Sequence, residues 1–129
     1  MATLKGCTVE QITYAEAKEI IVRHEWLRSM PTGTRACYRL RSPDDELVGV
    51  AVFAAGPAPE SGDLCGREHR DRAVCLARGA CVHWAHPHAA SHLISKACKL
   101  AAAEVGWQIF YAYADPTAGE RGVVYQAAN

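Results

Sequence analysis

A helix, a β-hairpin, a third strand, a second helix, a fourth strand and a closing helix follow one another along 129 residues. That order predicts an α/β (α+β) fold on one mixed sheet flanked by helices. Two observations carry the expectation. Apolar residues recur at helical spacing in residues 13–28 and 89–105, and short β-branched and apolar runs lie between and after them, broken by Pro, Gly and Asp. No internal repeat or linker interrupts the order, so a single domain over residues 1–129 is expected. A chain of this size buries roughly two thirds of its unfolded surface, enough for a core that needs no disulfide or metal.

Thr13 followed by Glu16 is a capping-box pattern, and Ala17, Ile20, Ile21, His24 and Leu27 then recur at helical spacing, so the first helix covers residues 13–28. Ser29-Met30-Pro31-Thr32-Gly33 ends it. Residues 35–41 read as extended, Ser42-Pro43-Asp44-Asp45 as a turn, and residues 46–53 as the return strand of a hairpin. Residues 56–71 hold Pro57, Pro59, Gly62 and Gly66 and then a charged run from Arg67, a loop long enough to suggest function. Residues 73–84 alternate little, as an interior strand buried on both faces does. Gly79 inside that run marks a bulge or a close backbone approach. The second helix, residues 89–105, sets Leu93, Ala97, Leu100, Ala101 and Val105 on one side and has Gly106 as its C-cap. Residues 107–113 form the fourth strand, Asp115 to Gly119 a turn, and residues 122–129 the start of a short helix.

The 14 Lys and Arg balance the 14 Asp and Glu, so no global field draws the chain to nucleic acid and any such partner has to be met by a local basic surface. Arg35, Arg39 and Arg41, then Arg67, Arg70, Arg72 and Arg78, are the candidates for it. No stretch approaches the ~20 apolar residues of a membrane span, and no secretory leader is legible. A cytoplasmic protein without a membrane partner is expected. The six cysteines show no CxxC pair and no scaffold spacing, so reduced thiols are expected, with Cys75, Cys81 and Cys98 filling the core as small hydrophobes.

Four constellations carry chemistry. His83, His86, His88 and His92 lie within ten residues, which invites a metal, yet only His88 and His92 have the i,i+4 spacing and no HExxH string is present. No metal is expected; polar residues decorating a strand-to-helix corner are the favoured account of the cluster. The second helix begins at that corner, and its unpaired amides make an anion site, with Ser91 and His92 in the first turn and Arg78 on the preceding strand as donor-binding side chains. Ser91 as an ordinary capping residue is the alternative. Asp115 at a strand end and Tyr125 ten residues later are a candidate base and acid across one cleft, or a turn former and a core phenol. His24, Glu25 and Trp26 offer an imidazole, a carboxylate and a flat ring for a planar substrate, although consecutive helical positions diverge and core packing competes.

These residues also carry a resemblance. The stretch Ala17 to Leu27 around His24, the string Leu76-Ala-Arg78 with Ala89-Ala-Ser91, and above all Tyr113-Ala-Asp115-Pro through Gly119, Gly122 and Tyr125 to Asn129 are similar to the Mom family of phage and prophage proteins that modify DNA adenine. The resemblance implies a GNAT-like acyltransferase fold with a mixed, mostly antiparallel sheet that splays to admit a donor. It implies conversion of the adenine N6 amine to a carbamoylmethylamino group, which shields phage DNA from host restriction. It places Arg78, Ser91, Asp115 and Tyr125 among residues that matter for the modification, and the segment His24 to Trp26 where the family keeps a histidine and an aromatic residue. Acyl-CoA and aminoacyl-tRNA are both compatible donors. Family members carry further strands after the Tyr-Gln-Ala-Ala-Asn string, so a sheet lacking its C-terminal strands and a homo-oligomer formed through the open edge are expected. Two other readings stand beside this one: a GNAT-type enzyme acting on a small-molecule or protein amine, and a non-catalytic metal-binding or adaptor protein using the cluster from His83 to His92.

Overall fold

The computed structural model describes residues 4–24, 29–56, 59–82 and 85–113. Helix α1 (Tyr14–His24) starts where the capping box forms as written. The Glu16 amide donates to Thr13 Oγ1 at 3.2 Å, while the Glu16 carboxylate accepts from the Thr13 amide at 3.2 Å and hydroxyl at 3.0 Å. Those bonds to Thr13 hold the Glu16 carboxyl below its ordinary range.

Among the described residues five strands form one sheet in the order β1-β2-β3-β4-β5: β1 (Thr8–Ile12), β2 (Thr34–Arg41), β3 (Leu47–Ala54), β4 (Ala73–Cys81) and β5 (Ile109–Tyr111). Neighbours are antiparallel except β4 and β5, which run parallel and are joined by helix α2 (Ala89–Glu104). The sheet is therefore mixed and mostly antiparallel, an α+β arrangement.

Among the described residues each face of the sheet carries one α-helix. Ala17 and Ile21 of α1 pack on Cys37, Val50 and Val52, which alternate with the residues facing the other way. On the opposite face Leu93, Ala97 and Ala101 of α2 cover Tyr38, Leu40, Phe53, Val74 and Leu76, and Trp107 closes the cluster. Phe53 is the centre of that side: Tyr38, Trp107 and Phe110 surround its ring at centroid distances of 5.8, 6.1 and 5.7 Å. Burial first, and the Glu104 carboxylate second, push the Tyr38 phenol up to about 12.

Several sequence expectations are corrected here. Strand β1 was not foreseen; it is a short edge strand with polar residues on its alternate positions, and it is fixed by β2 and by the Arg39 guanidinium, whose Nε donates to Glu10 at 2.6 Å. The loop at residues 56–72 contains two 3-10 turns, Pro59–Asp63 and Arg67–Arg72, clamped by a two-pronged Arg70–Asp63 pair at 2.6 and 2.8 Å. The fourth strand of the sequence reading is only Ile109–Tyr111, because Trp107 turns into the core instead. β4 is buried at Val74, Cys75 and Leu76 but half-covered beyond them, so it is not an interior strand along its whole length. The expected helix residues 25–28, strand residues 83–84 and the turn and helix after residue 113 lie outside the described residues.

All six cysteines are free. Cys37 is buried under α1 and Cys65 is exposed in the loop. Burial pushes the Cys37 and Cys98 thiols up to about 11. Both are held neutral in the fold while the unfolded chain ionises them near 9.0, so their contribution is complete below that pH and lost as pH rises toward about 11. Urea midpoints are expected to be flat from neutrality to about pH 8.5 and to fall by about pH 10.5. Iodoacetamide is expected to label Cys65 in the native state and Cys37 only on unfolding. Equal labelling rates at the two thiols would contradict this packing.

Candidate functional site

The parallel pair of strands is short. Ala73, Val74 and Cys75 pair with Ile109, Phe110 and Tyr111, and β4 then runs on to Cys81 with no partner on that side among the described residues. Its other edge stays bound to β3, but the register shifts: Arg78 faces Val52 and Leu76 faces Phe53, which leaves Ala77 as an extra residue. A bulge of this kind bends a strand and re-aims its side chains. Among the described residues the β4–β5 pairing ends at Cys75 and Tyr111. Parallel strands have to be joined by a crossover, so α2 returns antiparallel to both and begins at the end where that pairing stops.

The start of α2 is left uncapped by side chains and has no acidic residue in its first turn. The His88 amide donates to His86 Nδ1 at 3.1 Å, and the Ser91 hydroxyl donates to the His88 carbonyl at 3.1 Å. Ser91 and His92 are half-buried there. First-turn amides with no acid among them are what an anion requires of a helix start.

Arg78 is not beside them. Its partner Val52 belongs to the cluster under α1, and Ala80, two residues on, packs against that same cluster. Ala89 and Leu93 of α2 lie in the opposite cluster. The expected phosphate cradle of Arg78 with Ser91 is therefore divided between the two faces of the sheet. Arg78 Nε donates to the Ser29 carbonyl at 2.9 Å and Nη1 to the Ala77 carbonyl at 2.8 Å. The guanidinium thus ties the bulge to the end of the segment that follows α1.

His24 lies exposed at the end of α1 and lines a groove of about 250 Å³ with Glu16, Glu19, Ile20, Arg23, Arg39 and Leu47. His86 and His88 have ring centroids 5.5 Å apart. Among the described residues no three His, Cys, Asp or Glu side chains are grouped to hold a metal. Glu25, Trp26, His83, Asp115 and Tyr125 lie outside the described residues.

The structure adds residues that the sequence reading did not single out for a site. Cys75, 4% exposed, and Tyr111 form the last β4–β5 pair, on the α1 side. Burial raises the Cys75 thiol, which the Arg78 charge partly offsets. Burial also raises the Tyr111 phenol, helped by Cys75 and Tyr113, while a hydrogen bond from the Gly56 backbone and the Arg35 charge pull it back. Gly56 is required at that contact, because a Cβ there would sit 2.2 Å from Ser61 Cβ and 2.5 Å from the Tyr111 hydroxyl. The one local signal was the Tyr-Ala-Tyr spacing of residues 111–113, which puts both rings on one side of extended chain.

A model of the Mom protein family matches residues 6–129. None of the curated proteins matches the chain. Among solved structures, malonyl-CoA decarboxylase from Agrobacterium vitis superposes with a TM-score of 0.54 at 14% identity, over 84% of this chain and 33% of that one. The chain thus spans about a third of that enzyme's length, and the likeness is one of fold.

Two substitutions test this geometry. Gly56→Ala is expected to destabilise the chain by about 1–3 kcal/mol through overpacking against Ser61 and Tyr111. Arg78→Ala, which removes the donors to two carbonyls, is expected to cost about 1–3 kcal/mol, and Arg78→Lys less. Chemical denaturation measures both, and wild-type midpoints for Gly56→Ala and Arg78→Ala would contradict the contacts described.

Proposed function

The chain belongs to the Mom protein family, and from that membership we propose that it modifies phage DNA, converting the adenine N6 amine to a carbamoylmethylamino group that protects the DNA from host restriction enzymes. The observation that carries this reading is the family match over residues 6–129, joined to a parallel strand pairing that, among the described residues, ends at Cys75 and Tyr111 toward the start of a helix.

The chemistry sets the demands. The N6 lone pair is delocalised into the purine ring, so orientation and charge stabilisation have to do more than base strength. A carbamoylmethyl group carries a nitrogen that a simple acyl-CoA does not bring, whereas a glycyl ester, as on an aminoacyl-tRNA, does. Glycyl and carbamoylmethyl groups are isomers. Attack of the N6 amine on the glycyl ester forms an N6–C(O) bond, breaks the ester C–O bond and passes the N6 proton to the donor's departing hydroxyl; an internal exchange then breaks N6–C(O) and CH2–NH2 and forms N6–CH2 and C(O)–NH2, with no further reactant.

In this proposal the donor's phosphate rests on the first-turn amides of α2 with Ser91 and His92, and the base approaches from the α1 side. Arg78 belongs to the second group and holds the Ser29 carbonyl, three residues along the sequence from Trp26, the ring assigned to stack on a planar base. Asp115 orients or deprotonates the amine, and Tyr125 protonates the departing oxygen. Such a pocket cannot reach a base inside a duplex, so the target is flipped or single-stranded, at a cost of a few kcal/mol.

Nucleoside mass spectrometry of DNA from cells expressing the chain tests the reading. The expected result is a modified deoxyadenosine with the wild-type chain and a loss of roughly 100-fold or more with Asp115→Asn or Tyr125→Phe. Unmodified adenine in wild-type samples would refute the activity, and undiminished modification by both variants would refute the assigned roles.

A further inference from the structure

On the α1 side, just past the last β4–β5 pair, the Tyr113 ring is 53% exposed and stands edge-to-face against Tyr111, with centroids 5.9 Å apart and planes at 87°. A half-exposed aromatic ring normally swings between rotamers. This one is buttressed, because Tyr111 beneath it is half-buried and its phenol is bonded to the Gly56 backbone. A ring fixed in advance loses little side-chain freedom when something flat lies on it.

Most arginines of the described residues are engaged. Arg23 pairs with Glu19, Arg39 with Glu10, Arg41 with Asp45, and Arg70 with Asp63, while Arg72 contacts His69 and Arg78 holds two carbonyls. Arg35, like Arg67 in the loop, is exposed and has no ion pair among the described residues. A register shift between Thr34 and Ala36 leaves it as the extra residue of β2, re-aimed out of the regular alternation. In a chain with no net charge, a guanidinium with no ion pair among the described residues, whose charge reaches the Tyr111 phenol, offers a nucleic acid a local basic contact.

We propose that Tyr113, braced by Tyr111 and accompanied by Arg35, is a stacking platform for the nucleotide next to the target adenine on a single-stranded or locally opened DNA strand. The inference rests on the DNA-modification reading above and extends it to the flanking nucleotide. Tyr113 lies two residues before Asp115, at most about 7 Å of extended chain. A base stacked on Tyr113 therefore leaves its neighbour within reach of the proposed reaction centre, while Arg35 meets the phosphate. Stacking tolerates any base, so the platform fixes the register of the strand and not its sequence.

Fluorescence anisotropy at low salt, with a labelled single-stranded oligonucleotide containing one adenine and the same strand made abasic on both sides of it, tests the platform. Tyr113→Ala is expected to weaken binding of the intact strand by roughly 5- to 150-fold and Tyr113→Phe by less than about 2-fold. Arg35→Gln is expected to lower the salt dependence by about one phosphate contact. The abasic strand is expected to bind wild-type protein more weakly and to be insensitive to Tyr113→Ala, a comparison that needs no variant to stand. Equal affinity of wild-type protein for both strands, or an unchanged affinity of Tyr113→Ala for the intact one, overturns the platform and leaves the DNA reading untouched. Wild-type protein that binds neither strand overturns both, a case that the nucleoside analysis identifies independently.

Discussion

Two strands that run the same way and pair for only three residues, Ala73–Cys75 with Ile109–Tyr111, impose the geometry of everything around them. Parallel strands cannot be closed by a tight turn, so the chain has to cross over through α2 and deliver the start of that helix to the end where their pairing stops. The extra residue Ala77 bends β4 at the point where its pairing with β5 has just ceased. Neither feature alone would part the strands. A bulge in a strand paired on both sides would only twist the sheet, and a short β5 beside a straight β4 would leave a flat edge.

The bulge also divides the chemistry between two faces. Past Ala77 the alternation of β4 is displaced by one residue, so Arg78 turns toward α1 while the start of α2 lies on the other side. A donor with a charged tail and a planar acceptor make opposite demands: fixed amides for one, flat rings and a mobile cation for the other. On the α2 side stand Ser91 and the first-turn amides, of which that of Ala89 is held by the His86 carbonyl; on the α1 side stand Tyr111, Tyr113, Arg35 and the Arg78 clip. Under the proposed function the first set serves the donor and the second the DNA.

What was legible in the sequence was what is decided locally. The capping box of Thr13 and Glu16, the turn after Arg41 and the helical spacing of Leu93, Ala97 and Ala101 all depend on neighbours a few residues away, and the elements they predict are present. Strand β1 was missed because five residues with polar alternates form a strand only when β2 and Arg39 are beside them. The same holds at the site. Arg78 and Ser91 are visible as residues, but their separation onto two faces depends on one extra residue in a register that no sequence pattern announces. The contact of Gly56 with Tyr111 joins residues far apart in the chain and had no local signature.

Residue-resolved amide hydrogen exchange of the ligand-free protein tests most directly whether the two strands part. In a strand paired on both edges all amides are slow, whereas β4 is predicted to show slow exchange at every paired position through Cys75 and then a split pattern. Beyond that residue, amides aimed at β3 stay protected to Ala80 and those aimed away from it exchange rapidly. Uninterrupted protection of both sets as far as Cys81 would mean that the strands do not part, and the site built on their separation would not exist.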